Sequence, residues 1–224
     1  MKILLAIFTC HKYEYELCGM KDWFTRPVVD RVGALRDTWI KDVTVDYKFF
    51  YGHSLKRPKG DEIFLSVPDD YHHSYEKIRG IIQYALRHGY DYLLKVDDDV
   101  WVNWGKLDLS PTADYIGPSR GGRLTTYCAG FTYWLSRNSM KILSESPAGC
   151  WAEDVWVGEA LLKKGIRCSF DERYYCVNPT QTNQYISDEE LAQPNDYLSI
   201  HSLTPSQMRR YYAERHTDLH QQPR

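Results

Sequence analysis

Ile3 to Phe8 is an unbroken apolar run, the pattern of a strand covered on both faces. Cys10 to Thr25 is polar and irregular. Pro27 suits the first turn of a helix in which Val28, Val32, Leu35 and Trp39 recur at helical spacing. Val45 to Tyr51 reads as a strand closed by Gly52, and Ile63 to Val67 as another ended by Pro68. Ser74 is placed to cap a helix whose apolar stripe is Ile78, Ile81, Ile82, Ala85 and Leu86, with Gly89 where it stops. Tyr92 to Val96 is a short buried strand that runs into Asp97-Asp98-Asp99. Tyr115-Ile116 and Phe131 to Leu135 are further strands. Ser136 opens a helix carrying Met140, Ile142 and Leu143, and another helix runs from near Glu153 to Lys163-Lys164-Gly165. Beyond about Pro179 the apolar period fades. Gln181 to Asp196 reads as loop or short turns, and His201 to Arg215 as a small helix.

Strands alternating with helices predict an α/β fold with a mostly parallel central sheet and helices on both faces. The expected division is one main domain over residues 1–205 and a C-terminal helix or tail over 206–224. Length and composition agree with this: 224 residues, 43% hydrophobic and 26% charged, describe an ordinary globular chain and exclude a disordered one. A net charge of −2 offers no footprint for nucleic acid, and Lys56-Arg57-Pro58-Lys59 reads as a solvated loop. The first apolar run is too short to span a bilayer, and no small-residue cleavage site follows it. No other stretch is long enough for a membrane span, so a cytoplasmic location is expected. The six cysteines contain no Cys-x-x-Cys pair, which argues against zinc, and mostly free, buried thiols are expected. The 18 Tyr, 7 Trp and 7 Phe serve mainly as core, although such rings also suit the apolar face of a sugar.

Two acidic motifs carry candidate chemistry. In open α/β sheets ligands bind beyond the carboxyl ends of the strands. The strand ending at Val96 delivers Asp97, Asp98 and Asp99 to that position. Adjacent carboxylates repel unless a cation or solvent screens them, and a hard divalent ion with oxygen ligands resolves the conflict. In an extended chain Asp97 and Asp99 point to one side and Asp98 to the other. A solvated acidic loop is the plain alternative. An EF-hand is excluded because Val102 stands where its glycine is required. The second motif, Glu153-Asp154, opens a helix. Simple N-terminal decoration would explain it; so would a general base kept ionised by the local positive potential.

These segments resemble a known family. Tyr92 to Asn103 resembles the Asp-x-Asp segment of the beta-1,3-galactosyltransferase and Fringe-like glycosyltransferases, glycosyltransferase family 31. Glu153-Asp154-Val155-Trp156-Val157-Gly158 is similar to its Glu-Asp-Val-x-Val-Gly motif. Arg31 with Arg36-Asp37-Thr38-Trp39 is similar to its Arg…Arg-x-Thr-Trp element. Ala129-Gly130-Phe131 through Arg137 is similar to the Gly-rich strand before its acceptor site. The order and spacing agree over roughly residues 1 to 205, and the chain resembles a compact bacterial or viral-type member without stem or anchor.

The resemblance implies a GT-A fold, a UDP-sugar donor, Mn2+ or Mg2+, a carbohydrate or glycoconjugate acceptor and an inverting transfer. The hexose would be galactose or an N-acetylhexosamine, joined in a beta-1,3 linkage. By matching positions, Asp99 is the direct metal ligand, Asp97 faces the ribose and the metal shell, and Asp154 is the catalytic base. His201 completes the metal shell. Thr9, Arg36, Lys77 and Asp98 are the further nucleotide-side candidates, with Lys77 directed at the diphosphate. Trp101, Trp151, Glu153 and Gly130 are the acceptor-side candidates, and Trp156 stands beside them as either wall or core. A sugar-phosphate nucleotidyltransferase would instead need a Gly-rich basic loop after the first strand, where this chain has Thr9 to Tyr15 without glycine. A non-catalytic carbohydrate-binding module would have no use for a base.

Overall fold

In β1 (Ile3–Phe8), successive side chains alternate between two covered faces. Ile3, Leu5 and Ile7 join one core, with Ala34, Leu35, Trp39 and Met208. Leu4 and Ala6 join another, with Ile78, Ile81, Leu143 and Val157. A strand buried on both sides belongs inside a sheet, and β1 is central. The computed structural model describes residues 1–11, 30–119, 126–150, 152–175, 186–193 and 196–221.

The remaining strands are β2 (Asp46–Tyr51), β3 (Glu62–Phe64), β4 (Tyr92–Asp97), β5 (Trp101–Val102), β6 (Tyr115–Gly117), β7 (Thr132–Ser136), β8 (Ser169–Phe170), β9 (Tyr174–Tyr175) and β10 (Ser199–Ile200). Among the described residues the main sheet has seven strands in the order β3-β2-β1-β4-β7-β6-β8. All neighbours pair in parallel except at β7, which runs against both β4 and β6. The helices are α1 (Arg31–Asp37), α2 (Ser74–Arg87), α3 (Arg137–Glu145), α4 (Glu153–Leu162), α5 (Asp188–Leu191) and α6 (Pro205–Gln221). Buried residues of α1, α5 and α6 lie in the first core, those of α2, α3 and α4 in the second. Helices therefore cover both faces of a mostly parallel sheet, the expected GT-A architecture.

Local signals account for several boundaries. Ser136 caps α3 by accepting from the Ser139 N–H at 3.2 Å. Gly89 takes a left-handed φ of 76° just after α2. Ser74 is not the cap expected of it. It is the first helical residue of α2, continuous with a single 3-10 turn at Tyr71–His73 that Asp70 caps. β3 is shorter than the run Ile63 to Val67, and Pro27 and Val28 lie outside the described residues.

The structure adds a small sheet and corrects the expectation about the thiols. A second, three-stranded sheet, β5-β10-β9, was not anticipated, because strands of two residues leave no period to read. The C-terminal helix α6 begins at Pro205, and its Met208 and Tyr211 are buried in the first core. Among the described residues the cysteines are not mostly free and buried. Cys128 and Cys168 form a disulfide joining the approach to β7 with the approach to β8, while Cys10 is half-buried and Cys150 exposed. Among the described residues no helix is long and apolar enough to cross a membrane.

Candidate active site

The parallel register sets β1 and β4 side by side with Phe8 opposite Asp97, so both strands end together. At that edge the three aspartates separate. Asp98 turns toward β1 and α1, where it accepts from the Thr9 hydroxyl at 2.6 Å and from Arg31 at 2.8 Å. Asp97 and Asp99 meet His201, each offering a donor atom within 4.8 Å of the others. The chain turns at Asp98 and Asp99, and Asp99 also lies 3.6 Å from Arg31.

His201 arrives through the small sheet. β10 pairs with β5 so that Ile200 faces Trp101, which sets the next residue beside the aspartate turn. The His201 N–H donates to the Tyr175 carbonyl at 3.1 Å, and the Leu203 N–H to the Asp99 carbonyl at 3.0 Å. Between those two bonds Ser202 adopts a φ of 66°, a left-handed conformation that costs a non-glycine residue about 1–2 kcal/mol. The imidazole lies flat on Phe131, centroids 4.7 Å apart. Its Nδ1 faces the Ser202 hydroxyl at 3.1 Å, and its Nε2 points at Asp99 Oδ1, 3.4 Å away.

Two carboxylates and an imidazole form a donor set that suits Mn2+, and Mg2+ less well because of the nitrogen. The 3.4 Å between His201 and Asp99 resembles the spacing of neighbouring ligands on one ion, about 3 Å when each is near 2.1 Å from it. Burial pushes the Asp97 carboxyl above its ordinary range; Lys95 opposes this and Asp99 adds to it. The residues present fit a divalent cation.

The second acidic pair lies next to the first through β7. The Asp97 N–H donates to the Phe131 carbonyl at 2.8 Å, which places Gly130 between the two motifs. The Gly130 N–H donates to Asp154 Oδ2 at 3.2 Å, while its carbonyl accepts from the Lys95 ammonium. Lys95 also meets Asp97 at 2.5 Å and Glu153 at 3.0 Å. Glu153 Oε2 accepts from the Tyr133 hydroxyl at 2.6 Å, so both of its oxygens are engaged. Burial raises the Glu153 carboxyl, with Lys95 opposing and Asp154 adding. Burial works against the Lys95 charge, but Asp97 and Glu153 outweigh it and hold the ammonium above its ordinary value. Asp154 heads α4, and the Val155 N–H donates to its Oδ1 at 2.8 Å. A Cβ on Gly130 would stand 2.8 Å from Glu153 Oε1 and 3.3 Å from Asp154 Oδ2, so a side chain there would push these carboxylates aside.

Other expected residues fall elsewhere. Arg36 pairs with Asp61 at 2.6 Å and Glu62 at 3.0 Å, over the Phe49 ring, at the start of β3. Arg31, five residues earlier on α1, reaches Asp98 at 2.8 Å and Asp99 at 3.6 Å instead. Five residues are about 140° around a helix, so the two arginines cannot face one place. Lys77 is enclosed rather than presented to a diphosphate. Its ammonium donates to the Thr9 carbonyl at 2.8 Å and to Asp69 at 2.7 Å. Thr9 is buried, its hydroxyl spent on Asp98. Trp101 is 4% exposed and packs edge-on against Tyr211 of α6, which makes it core rather than a sugar wall. Trp156 is likewise core, against Tyr75. Trp151 lies outside the described residues. Sequence reading passed over Lys95 and Phe131. A lone lysine inside the apolar strand Tyr92 to Val96 was a signal for the first, since a buried ammonium demands carboxylate partners. Nothing in the sequence singled out the second.

The fold defines a class: a mixed α/β protein of GT-A architecture with an acidic, histidine-bearing site beyond its strand ends. No protein-family model matches the chain, and no curated protein does. Among solved structures, the chain is similar to a glycosyltransferase involved in the glycosylation of the major capsid of PBCV-1. The TM-score is 0.50 over 95% of this chain and 100% of that one, at 12% sequence identity, a likeness of fold.

Proposed function

We propose that the chain is a metal-dependent glycosyltransferase of the family 31 type, moving a hexose from a UDP-sugar to a carbohydrate hydroxyl with inversion. One observation carries the reading: Asp97, Asp99 and His201 converge at the strand ends while Gly130 holds Asp154 beside them. A binding module needs no such pairing of a cation-type donor set with a separate carboxylate. The likeness to a glycosyltransferase fold supports the same class.

In this reading Asp99, His201 and Asp97 would hold a Mn2+ or Mg2+ ion. The bound ion would neutralise the donor diphosphate and ease its departure. Asp154 takes the proton of the acceptor hydroxyl as that oxygen attacks the anomeric carbon. Glu153 is ion-paired to Lys95 and accepts from Tyr133, whereas the Asp154 oxygens accept from the backbone N–H groups of Gly130 and Val155; the base role goes to Asp154 by the motif resemblance. Galactose or an N-acetylhexosamine as the moving sugar, and a beta-1,3 linkage, follow from the motif resemblance.

The test is a panel of UDP-sugars with the protein, with and without Mn2+, scoring UDP release alone and with sugar acceptors. Metal-dependent release from one donor, enhanced by an acceptor, is expected. Absence of binding and turnover across the panel sinks the reading.

A further inference from the structure

In β4 Lys95 stands among apolar neighbours up to the terminal Asp97, and its side chain is 2% exposed. Its ammonium lies over the rings of Phe8 and Tyr133, 4.7 and 5.6 Å from their centroids. Placing an ammonium there is costly unless charged partners surround it. The partners come from both halves of the site: Asp97 at 2.5 Å, two residues on and therefore on the same face of the strand, and Glu153 at 3.0 Å from the head of α4. The third partner is the Gly130 carbonyl, on the residue whose N–H donates to Asp154.

We propose that Lys95 is a positioning residue that couples the cation-side carboxylate Asp97 to the base Asp154, acting through the Gly130 backbone and Glu153. The inference rests on the functional reading above. Without the ammonium, Asp97 loses the bond that orients it, and the Gly130 segment is free to rotate its N–H away from Asp154. A role in stability alone makes a different forecast. Buried ion pairs are often replaced by neutral groups of similar volume at little cost. Lys95→Met combined with Glu153→Gln would then behave as the parent.

The experiment compares the parent chain with the Lys95→Met/Glu153→Gln variant, checked for folding by circular dichroism and thermal unfolding. Calorimetry with Mn2+ alone reads the cation side. Amide hydrogen exchange at Gly130, in the metal-free protein, reads the base side. In the variant, Mn2+ affinity is expected to fall about 10–100-fold, the effect typical of losing a residue that orients a metal ligand. Gly130 exchange is expected to accelerate at least about tenfold while core amides of β1 keep their protection. Either quantity staying within about twofold of the parent overturns the proposal. A variant that does not fold leaves the parent itself as the test. A Lys95 ammonium proton signal exchanging as fast as those of surface lysines overturns it, and a long-lived one that shifts on adding Mg2+ supports it. Failure of the functional reading looks different: the parent then binds no Mn2+ and releases no UDP, whatever the Gly130 amide does.

Discussion

His201 lies flat against Phe131, ring centroids 4.7 Å apart and planes 18° from parallel, which aims its Nε2 at Asp99. Phe131 in turn accepts the Asp97 N–H through its carbonyl. One residue therefore supports both sides of the candidate cation site, one through its ring and the other through its backbone.

Asp99→Ala and His201→Ala, made separately, should each weaken Mn2+ binding by at least about tenfold. Titration calorimetry measures this directly. Affinity unchanged in both would remove the ion from this site.

Asp154→Asn should lower transfer about 10²–10⁴-fold, the range for losing a general base, while Mn2+ and UDP affinity stay near the parent's. Steady-state turnover and calorimetry on the same preparation decide it. Persisting transfer would move the base elsewhere.

Ser202→Gly separates strain from ligand support. Glycine accepts the φ of 66° without penalty but gains freedom in the unfolded chain, so net stability should change by less than about 1 kcal/mol. The hydroxyl facing His201 Nδ1 is lost, and Mn2+ affinity should fall about tenfold. Urea unfolding and calorimetry together test the split; equal affinity would mean the hydroxyl does not orient the ring.

Gly130→Ala forces a methyl group to within 2.8 Å of Glu153 Oε1 and 3.3 Å of Asp154 Oδ2. The expected cost is about 1–3 kcal/mol in stability, as in other overpacked interiors. Turnover should fall more than donor affinity, because the methyl group displaces the base rather than the cation ligands. A variant as active as the parent would show that Asp154 tolerates the shift.

Cys128 and Cys168 close a 40-residue separation, and replacing both with serine should cost about 2–4 kcal/mol. Thiol counting under denaturing conditions, before and after reduction, shows whether the bond is present in the purified protein. Unfolding midpoints that are the same with and without reductant would show that the bond contributes nothing to stability.

The sequence by itself determined the layers and one half of each motif. The continuous apolar run Ile3 to Phe8 has the length and flanks of a covered strand, and the stripe Ile78, Ile81, Ile82 and Ala85 has the spacing of a helix with one buried face. From these it followed that Asp97 to Asp99 stand at a strand end and that Glu153-Asp154 opens a helix. Such features are local: periodicity and a few neighbouring residues decide them.

Tertiary structure alone decided which side chains meet. His201 reaches Asp99 through paired two-residue strands that have no sequence signature. Arg31 rather than Arg36 faces the aspartates because of how α1 is rotated on the sheet. Trp101 turns into the core because α6 lies across it. Lys95 finds Glu153 only once β4 and α4 are packed together. Contacts between residues far apart in sequence depend on the summed packing of whole elements, and no short window of residues encodes that sum.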